Sequence, residues 1–550
     1  MSKRPAPGDN KNLLLAVLLS ALVLIGADYV RIKYFGQPET QPTQVSEQTL
    51  PGAPTARNKV SAEKEQVTAS KVNAAEAKRI PIESGVFKGQ IATLGGRVDT
   101  LKLPHYDQKL DGDKPIELLR PNGDDVFFFE AGWLGDGVNA PNGDTVWSTD
   151  DTRLTPENPV VLKWENAKGQ LFTRTYSLEP GRYIVLVKDR VENKGEVPAR
   201  LTHYAQLHRG GSQNNISNLM SESSYTRFIG PMVMFDNELH EIDYDTIKDK
   251  GGRTEVGQRG WAGMSTDYFL AAVVPDPSET NTVNYRYTPV GDKGFFSMDV
   301  QDGGTSLQPG GIAEHNYRVY AGPKSLPELE QEGFGLERAV DFGWYHIIAK
   351  VFHDVLIWFY DLVGNMGLAI IMLTVLIKLL LWPLSAKSYR SMAALKKLHP
   401  KITRLKEKHG DNREKMAMEM MALYKEHGVN PMSGCWPILI QIPIFFALYK
   451  VILISFEFRH APFFGWIQDL SVADPYFVLP ILMGLTMFVQ MRLNPPATDP
   501  IQQKVMSFMP VLFTILFLSF PAGLVLYWTV NSILSVFQQW LMVRAVEELG

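Results

Sequence analysis

The sequence predicts a multi-domain membrane protein, an α-helical transmembrane core joined to a large antiparallel β-sandwich. Three observations predict it. The 550 residues exceed what one hydrophobic core ordinarily holds, so two or more domains are expected. Long apolar runs gather in the last third, whereas residues 80–325 fall into short alternating runs between Gly, Pro, Asn and Asp. Charge divides along the same lines. Residues 37–345 hold 32 Lys+Arg against 44 Asp+Glu, a net of −12, and the remainder holds 23 against 15, a net of +8. That reversal suggests two environments, the basic one facing anionic lipid or nucleic acid. The single cysteine, Cys435, excludes an intrachain disulfide and a cysteine-based zinc cluster, and it reads as a small buried residue.

The first element is the apolar run Leu13–Ala27, preceded by Lys3, Arg4 and Lys11. A signal peptide and an anchor both fit. Ile25-Gly26-Ala27 is a poor cleavage site and apolar character continues through Tyr29 and Val30, which favours an uncleaved anchor over residues 1–30. Residues 31–79 read as a flexible linker, poor in aromatic residues and rich in Gln, Thr, Ala and Glu from 37 to 75. Residues 80–325 form the predicted β-domain, with strands such as Arg182–Lys188, Arg200–Gln206, Tyr268–Val274 and Asn316–Tyr320. Its histidines, His105, His203, His208, His240 and His315, show no metal-site spacing. His203 and His208, five apart on a strand, face opposite ways.

Residues 338–362 predict an amphipathic interfacial helix. Ile347, Ile348, Val351, Phe352, Val355, Leu356, Phe359 and Leu362 recur at three and four residues, with Lys350, His353, Asp354 and Asp361 between them. The core follows, from 363 to 545. Its apolar runs are Asn365–Leu384, Pro431–Ile454, Tyr476–Gln490, Ser507–Phe520 and Gly523–Val543. A spanning helix needs about 20 apolar residues, so the third and fourth either re-enter or cross a thinned bilayer. Pro521-Ala522-Gly523 signals a tight turn that pairs the last two.

Between Ser385 and Asn430 the chain is strongly helix-forming and basic, interrupted at Gly410-Asp411. This predicts a helical hairpin over 385–430. Lys396, Lys397, Lys401, Arg404, Lys406 and Lys408 are its candidate docking residues, for ribosomal RNA or lipid headgroups. A solvated connector is the plainer alternative. Residues 456–475 carry one Lys or Arg, Arg459, so the positive-inside rule puts the hairpin in the cytoplasm and 456–475 outside. Six spans then leave both termini cytoplasmic and the β-domain outside.

Lys378 stands out: it is a charge inside the run Met366–Pro383, tolerated only near an interface, a partner or a wet cavity. Thr374 lies one turn before it on the same face. Gln441, between Pro437 and Pro443, and Tyr527, Trp528, Thr529, Asn531 and Ser532 add polar groups from other spans. Lys378, Thr374, Gln441, Tyr527, Trp528 and Asn531 are the candidate lining of a hydrophilic groove. Snorkelling is the alternative for Lys378, about 9 Å along a helix from Leu384. Lys450, near its span's outer end, reads as a plain snorkeller.

Several strings resemble the YidC membrane-protein insertases: Met420-Met-Ala-Leu-Tyr424, Val429-Asn-Pro-Met-Ser-Gly-Cys435, Leu439-Ile-Gln-Ile-Pro-Ile444, Trp466-Ile-Gln-Asp-Leu-Ser471, Leu479-Pro-Ile-Leu-Met-Gly484, Asp499-Pro-Ile-Gln-Gln503 and Gly523-Leu-Val-Leu-Tyr527. The resemblance covers residues 340–545 in order, and the long outer segment matches the Gram-negative form. It implies a five-helix bundle around a groove open to cytoplasm and lipid but closed to the outside, with a basic residue at the position of Lys378. Arg is the usual residue there; Lys keeps the charge without the planar fork, which favours general attraction over bidentate pairing. The resemblance also implies a supersandwich-like β-domain. The implied partners are nascent membrane proteins, Sec translocon components, the ribosome and membrane lipids, in the bacterial inner membrane. No enzymatic activity, metal or cofactor is implied, and no phosphate-binding glycine loop is visible. Two rival readings are a transporter, which lacks the expected internal repeat, and a membrane-anchored periplasmic carbohydrate-binding or -processing protein.

Overall fold

The computed structural model describes residues 77–548, apart from 111, 137, 223–227, 252–253, 410–411, 429–435 and 494–499. The expected anchor, nearly all of the linker and Cys435 lie outside the described residues.

Residues Arg79–Pro323 build two antiparallel sheets, one of ten strands and one of eight. Alternation places the core. In the strand Gln170–Leu178 every second residue is buried, which sends Phe172, Arg174, Tyr176 and Leu178 to one face. Val98, Leu101, Phe129, Tyr176, Val185 and Val319 meet between the sheets. Phe269–Val274, flanked on both sides by Gly260–Ser265 and Ile312–Pro323, is buried throughout. Its unbroken apolar run is the sequence trace of that central place. Three short helices accompany the sheets: α1 (Gln213–Glu222), α2 (Tyr244–Lys250) and α3 (Leu326–Glu332).

The rest is helical: α4 (His346–Val363), α5 (Met366–Leu380), α6 (Trp382–His409), α7 (Arg413–Glu426), α8 (Trp436–Ile454), α9 (Val478–Leu493), α10 (Pro500–Phe517) and α11 (Ala522–Glu548). Helix α11 packs against α5, α6, α8 and α9, with α10 on α9 and α4 on α5 and α8. Gly364, left-handed at φ 66°, closes α4, and the Asn365 side chain caps α5 by accepting from Leu368 N at 3.0 Å. At Gly367 a Cβ would collide with the Phe463 ring, so only glycine lets that loop lie on α5.

Two expectations are corrected. Asn365–Leu384 is not one straight span: it breaks at Leu381, and α5 and α6 meet at 66°. Pro383 stands in the first turn of α6, where its missing N–H leaves no intrahelical bond unmade. Lys378 consequently sits in the last turn of α5 rather than six residues from a helix end. His353, placed with the polar positions of α4, is instead buried. Its Nε2 lies 3.3 Å from Glu457, and Asp354 is 3.3 Å from its Nδ1. The opposite face of α4 exposes Ile347, Val351, Trp358 and Leu362.

His353 belongs to a seam between the β-domain and the bundle. Lys350 pairs with Glu330 at 2.8 Å, and Arg459 donates to the carbonyls of Asp107 and Gln108. Phe456 meets Tyr106 edge-on at 5.0 Å and Phe269 at 5.6 Å. The connection 456–475 thus uses its one arginine as a clamp on the β-domain.

Candidate substrate groove

Lys378 is half-buried on α5, and its Nζ donates to Ser535 Oγ of α11 at 2.7 Å. The Ser535 hydroxyl in turn donates to Asn531 O, also at 2.7 Å. Among the described residues no carboxylate lies within ion-pair reach of Lys378. The one hydrogen-bond partner it has among the described residues is a neutral hydroxyl.

The other predicted lining residues divide. Thr374 is buried and gives its hydroxyl to Ile370 O of its own helix at 2.7 Å, which leaves it no free donor. Gln441 on α8 donates through Nε2 to the Tyr527 hydroxyl, joining α8 to α11. Pro443 stands within α8 without ending it. Trp528 lies in an aromatic group, edge-on to Phe445 at 5.0 Å and 5.7 Å from Phe517. Tyr527 and Ser535, eight residues apart, are about 12 Å apart along α11. The groups thus form two polar stations on one helix, Gln441–Tyr527 and Lys378–Ser535–Asn531.

Sequence reasoning passed over Ser535 and Gln538. Both are buried, and both amide atoms of Gln538 lack a hydrogen-bond partner among the described residues. Their signal was present: Asn531, Ser535 and Gln538 recur at four and three residues, which places them along one stripe of the helix. An unsatisfied buried amide costs roughly 1–3 kcal/mol, which marks this end of α11 as a place that water or peptide can complete.

On the hairpin, Lys396, Lys397, Lys401, Arg404 and Lys408 are exposed, with Lys401 Nζ 2.9 Å from His427 Nε2; the Lys406 side chain lies outside the described residues. Helix α6 runs on through Pro400. The scattered histidines of the β-domain are partly brought together: His203 and His315 stack at 5.3 Å, and Trp133 stands edge-on to both. His208 faces elsewhere, 3.1 Å from Glu130.

A family model described as the YidC periplasmic domain matches residues 79–355, and one described as the 60Kd inner membrane protein matches 358–548. The membrane protein insertase YidC of Magnetococcus marinus is 40% identical over 469 residues, covering 84% of this chain and 83% of its own length. That of Rickettsia bellii is 36% identical over 559 residues, covering 96% and 98%. The chain belongs to the YidC family of membrane protein insertases. A crystal structure of an active YidC insertase aligns over 84% of this chain and 92% of its own, with TM-score 0.37 and 17% identity. A galactose mutarotase related enzyme from Lactobacillus acidophilus aligns over 44% and 97%, with TM-score 0.30 and 11% identity. The family is one of insertases of the bacterial inner membrane and not of enzymes, so the carbohydrate-processing alternative is not favoured.

Proposed function

We propose that this insertase passes a polar peptide tail over the Lys378 station while the hydrophobic segment behind it slides along the helices from α5 to α9. The observation that carries the proposal is a half-buried ammonium with one hydroxyl partner and no carboxylate in reach. An acidic or polar tail supplies what that charge lacks, and lingers there. The adjoining Gln538 amide and the Gln441–Tyr527 pair lower the cost of desolvating the tail's peptide groups. The apolar segment then leaves sideways into lipid by the hydrophobic effect.

The bilayer around this path is thin in the proposal. Among the described residues no single helix is long and apolar enough to cross a membrane, although the bent α5–α6 pair passes by length and composition. At 1.5 Å per residue α9 and α10 reach only about 24 and 27 Å, against a hydrocarbon core of about 30 Å. Apolar side chains such as Leu379, Ile481, Leu485, Val511 and Ile515 are exposed on these helices, as lipid contact requires. In this arrangement α5 with the start of α6, then α8, α9, α10 and α11, and the N-terminal anchor give six spans, both termini are cytoplasmic, the β-domain is periplasmic, and α4 lies in the outer headgroups. The exposed lysines of α6 meet the ribosome or anionic headgroups, and the bundle works alone or beside Sec translocon components.

Proteoliposomes holding only this chain test it. A short nascent protein with an acidic outer tail should reach a protease-protected state without nucleotide. If protection depends on ATP or on added translocon, the bundle is not sufficient and the proposal fails.

A further inference from the structure

We propose that the β-domain holds one divalent transition-metal ion between Glu279, Asp302 and His315, staple-like across its two sheets. The three come from separate places. His315 lies in the strand Ile312–Pro323 of the eight-stranded sheet, and Asp302 follows the strand Lys293–Gln301 of the ten-stranded one. Glu279 ends a turn ordered by Asp276, whose carboxylate accepts from Ser278 N at 2.9 Å and Ser278 Oγ at 2.6 Å. One donor atom from each of the three falls within 4.8 Å of the others.

The distances fit a metal. His315 Nδ1 lies 3.2 Å from Asp302 Oδ2 and 3.4 Å from Glu279 Oε2. Zinc bonds of about 2.0–2.2 Å to nitrogen and carboxylate oxygen, at tetrahedral angles, put neighbouring ligand atoms about 3.3–3.5 Å apart. Asp302 supplies an independent observation. Its side chain is more than nine-tenths buried, and Oδ1 is occupied by His203 N at 3.1 Å and Gly304 N at 2.8 Å. Oδ2 has no hydrogen-bond partner among the described residues, although it faces the imidazole nitrogen. The backbone donors fix the carboxylate by one oxygen and leave the other bare toward the cluster, as outer partners of metal ligands do.

Charge agrees. Glu279 and Asp302 together neutralise a dication, Asp276 adds a further negative charge on the cleft wall, and the imidazole gives the set a nitrogen donor that suits zinc over calcium. A fourth position opens to the cleft lined by Asp276, Asn281, Tyr317 and His203, where water completes the tetrahedron.

The test uses the full chain in detergent, stripped with EDTA and titrated with ZnCl2 by calorimetry. One equivalent is expected at this site, with a rise in the melting temperature of the β-domain on loading. Asp302→Asn and Glu279→Gln should weaken that binding by about 100-fold or more and abolish the rise, the loss of a ligand costing at least as much as loss of a supporting partner. His240→Gln, a remote histidine variant, should bind like the parent. Glu279 is on a half-exposed turn, so its variant keeps the test alive if Asp302→Asn misfolds. No binding by the parent, or equal binding by both carboxylate variants, overturns the site.

Discussion

Two polar clusters, one around Asp189 in the β-domain and one around Lys378 in the helical bundle, are finished differently. In the β-domain Arg174 reaches Asp189 through Nε at 2.7 Å and Nη2 at 2.8 Å and spends Nη1 on Gly96 O at 3.1 Å. Asp189 also meets His203 Nε2 at 2.7 Å and the Tyr317 hydroxyl at 3.1 Å. Burial alone would raise the Asp189 carboxyl, yet Arg174 and His203 hold it well below the usual carboxylate range. That network is closed. In the bundle, among the described residues, Lys378 has one hydroxyl partner and the Gln538 amide has no hydrogen-bond partner. A satisfied network fixes a fold, whereas an open one has valence left for water and passing peptide.

Breaking the closed network should have the largest effect. Asp189→Asn strands a fully buried guanidinium and should cost about 3–5 kcal/mol, read by chemical unfolding of the β-domain. A loss under 1 kcal/mol would mean that the network is not the structural lock described. Next comes the open site. Lys378→Ala should slow insertion of substrates with acidic outer tails about tenfold, roughly 1.4 kcal/mol of barrier, while neutral-tailed substrates change little and Lys378→Arg is mild. Equal impairment of both substrates would assign Lys378 a packing role. Gln538→Leu sharpens the contrast further. Removing an unsatisfied amide should leave stability unchanged or raise it by about 1 kcal/mol, yet reduce insertion.

The smallest effect belongs to the seam. Burial pushes the His353 imidazole down, but Glu457 and Asp354 outweigh it and hold its pKa above the ordinary value. A raised histidine contributes its stabilisation fully below about pH 6.5, and that contribution fades as pH rises through the folded value. Hydrogen-exchange protection factors across α4 and residues 456–459, corrected for the intrinsic base-catalysed rate, should therefore fall from pH 6 to pH 8, and His353→Gln should flatten that fall.

Much of this was legible in the chain. Strand alternation marked the sandwich, and Pro521-Ala522-Gly523 marked the turn between α10 and α11. Lys378 announced itself as a charge in an apolar run. The bend at Leu381 was harder to read, because hydropathy carries through Pro383 although backbone hydrogen bonding does not. Contacts between distant segments were not legible either. Nothing local tells that His315 stacks on His203, or that a histidine in an amphipathic helix turns inward to Glu457. Ser535 and Gln538 were visible as a periodic stripe, but only their burial gives that stripe meaning.

Water access at the lysine station is the claim on which the mechanism stands, and cysteine reactivity measures it directly. In a Cys435→Ser background, Ser535→Cys and Gln538→Cys should react readily with a membrane-impermeant maleimide applied from the cytoplasmic side, and a stalled nascent chain should protect them. Leu379→Cys and Ile533→Cys, at exposed apolar positions that the proposal turns to lipid, should stay slow. If Ser535→Cys is as inert as Leu379→Cys, the station is dry and the account is wrong.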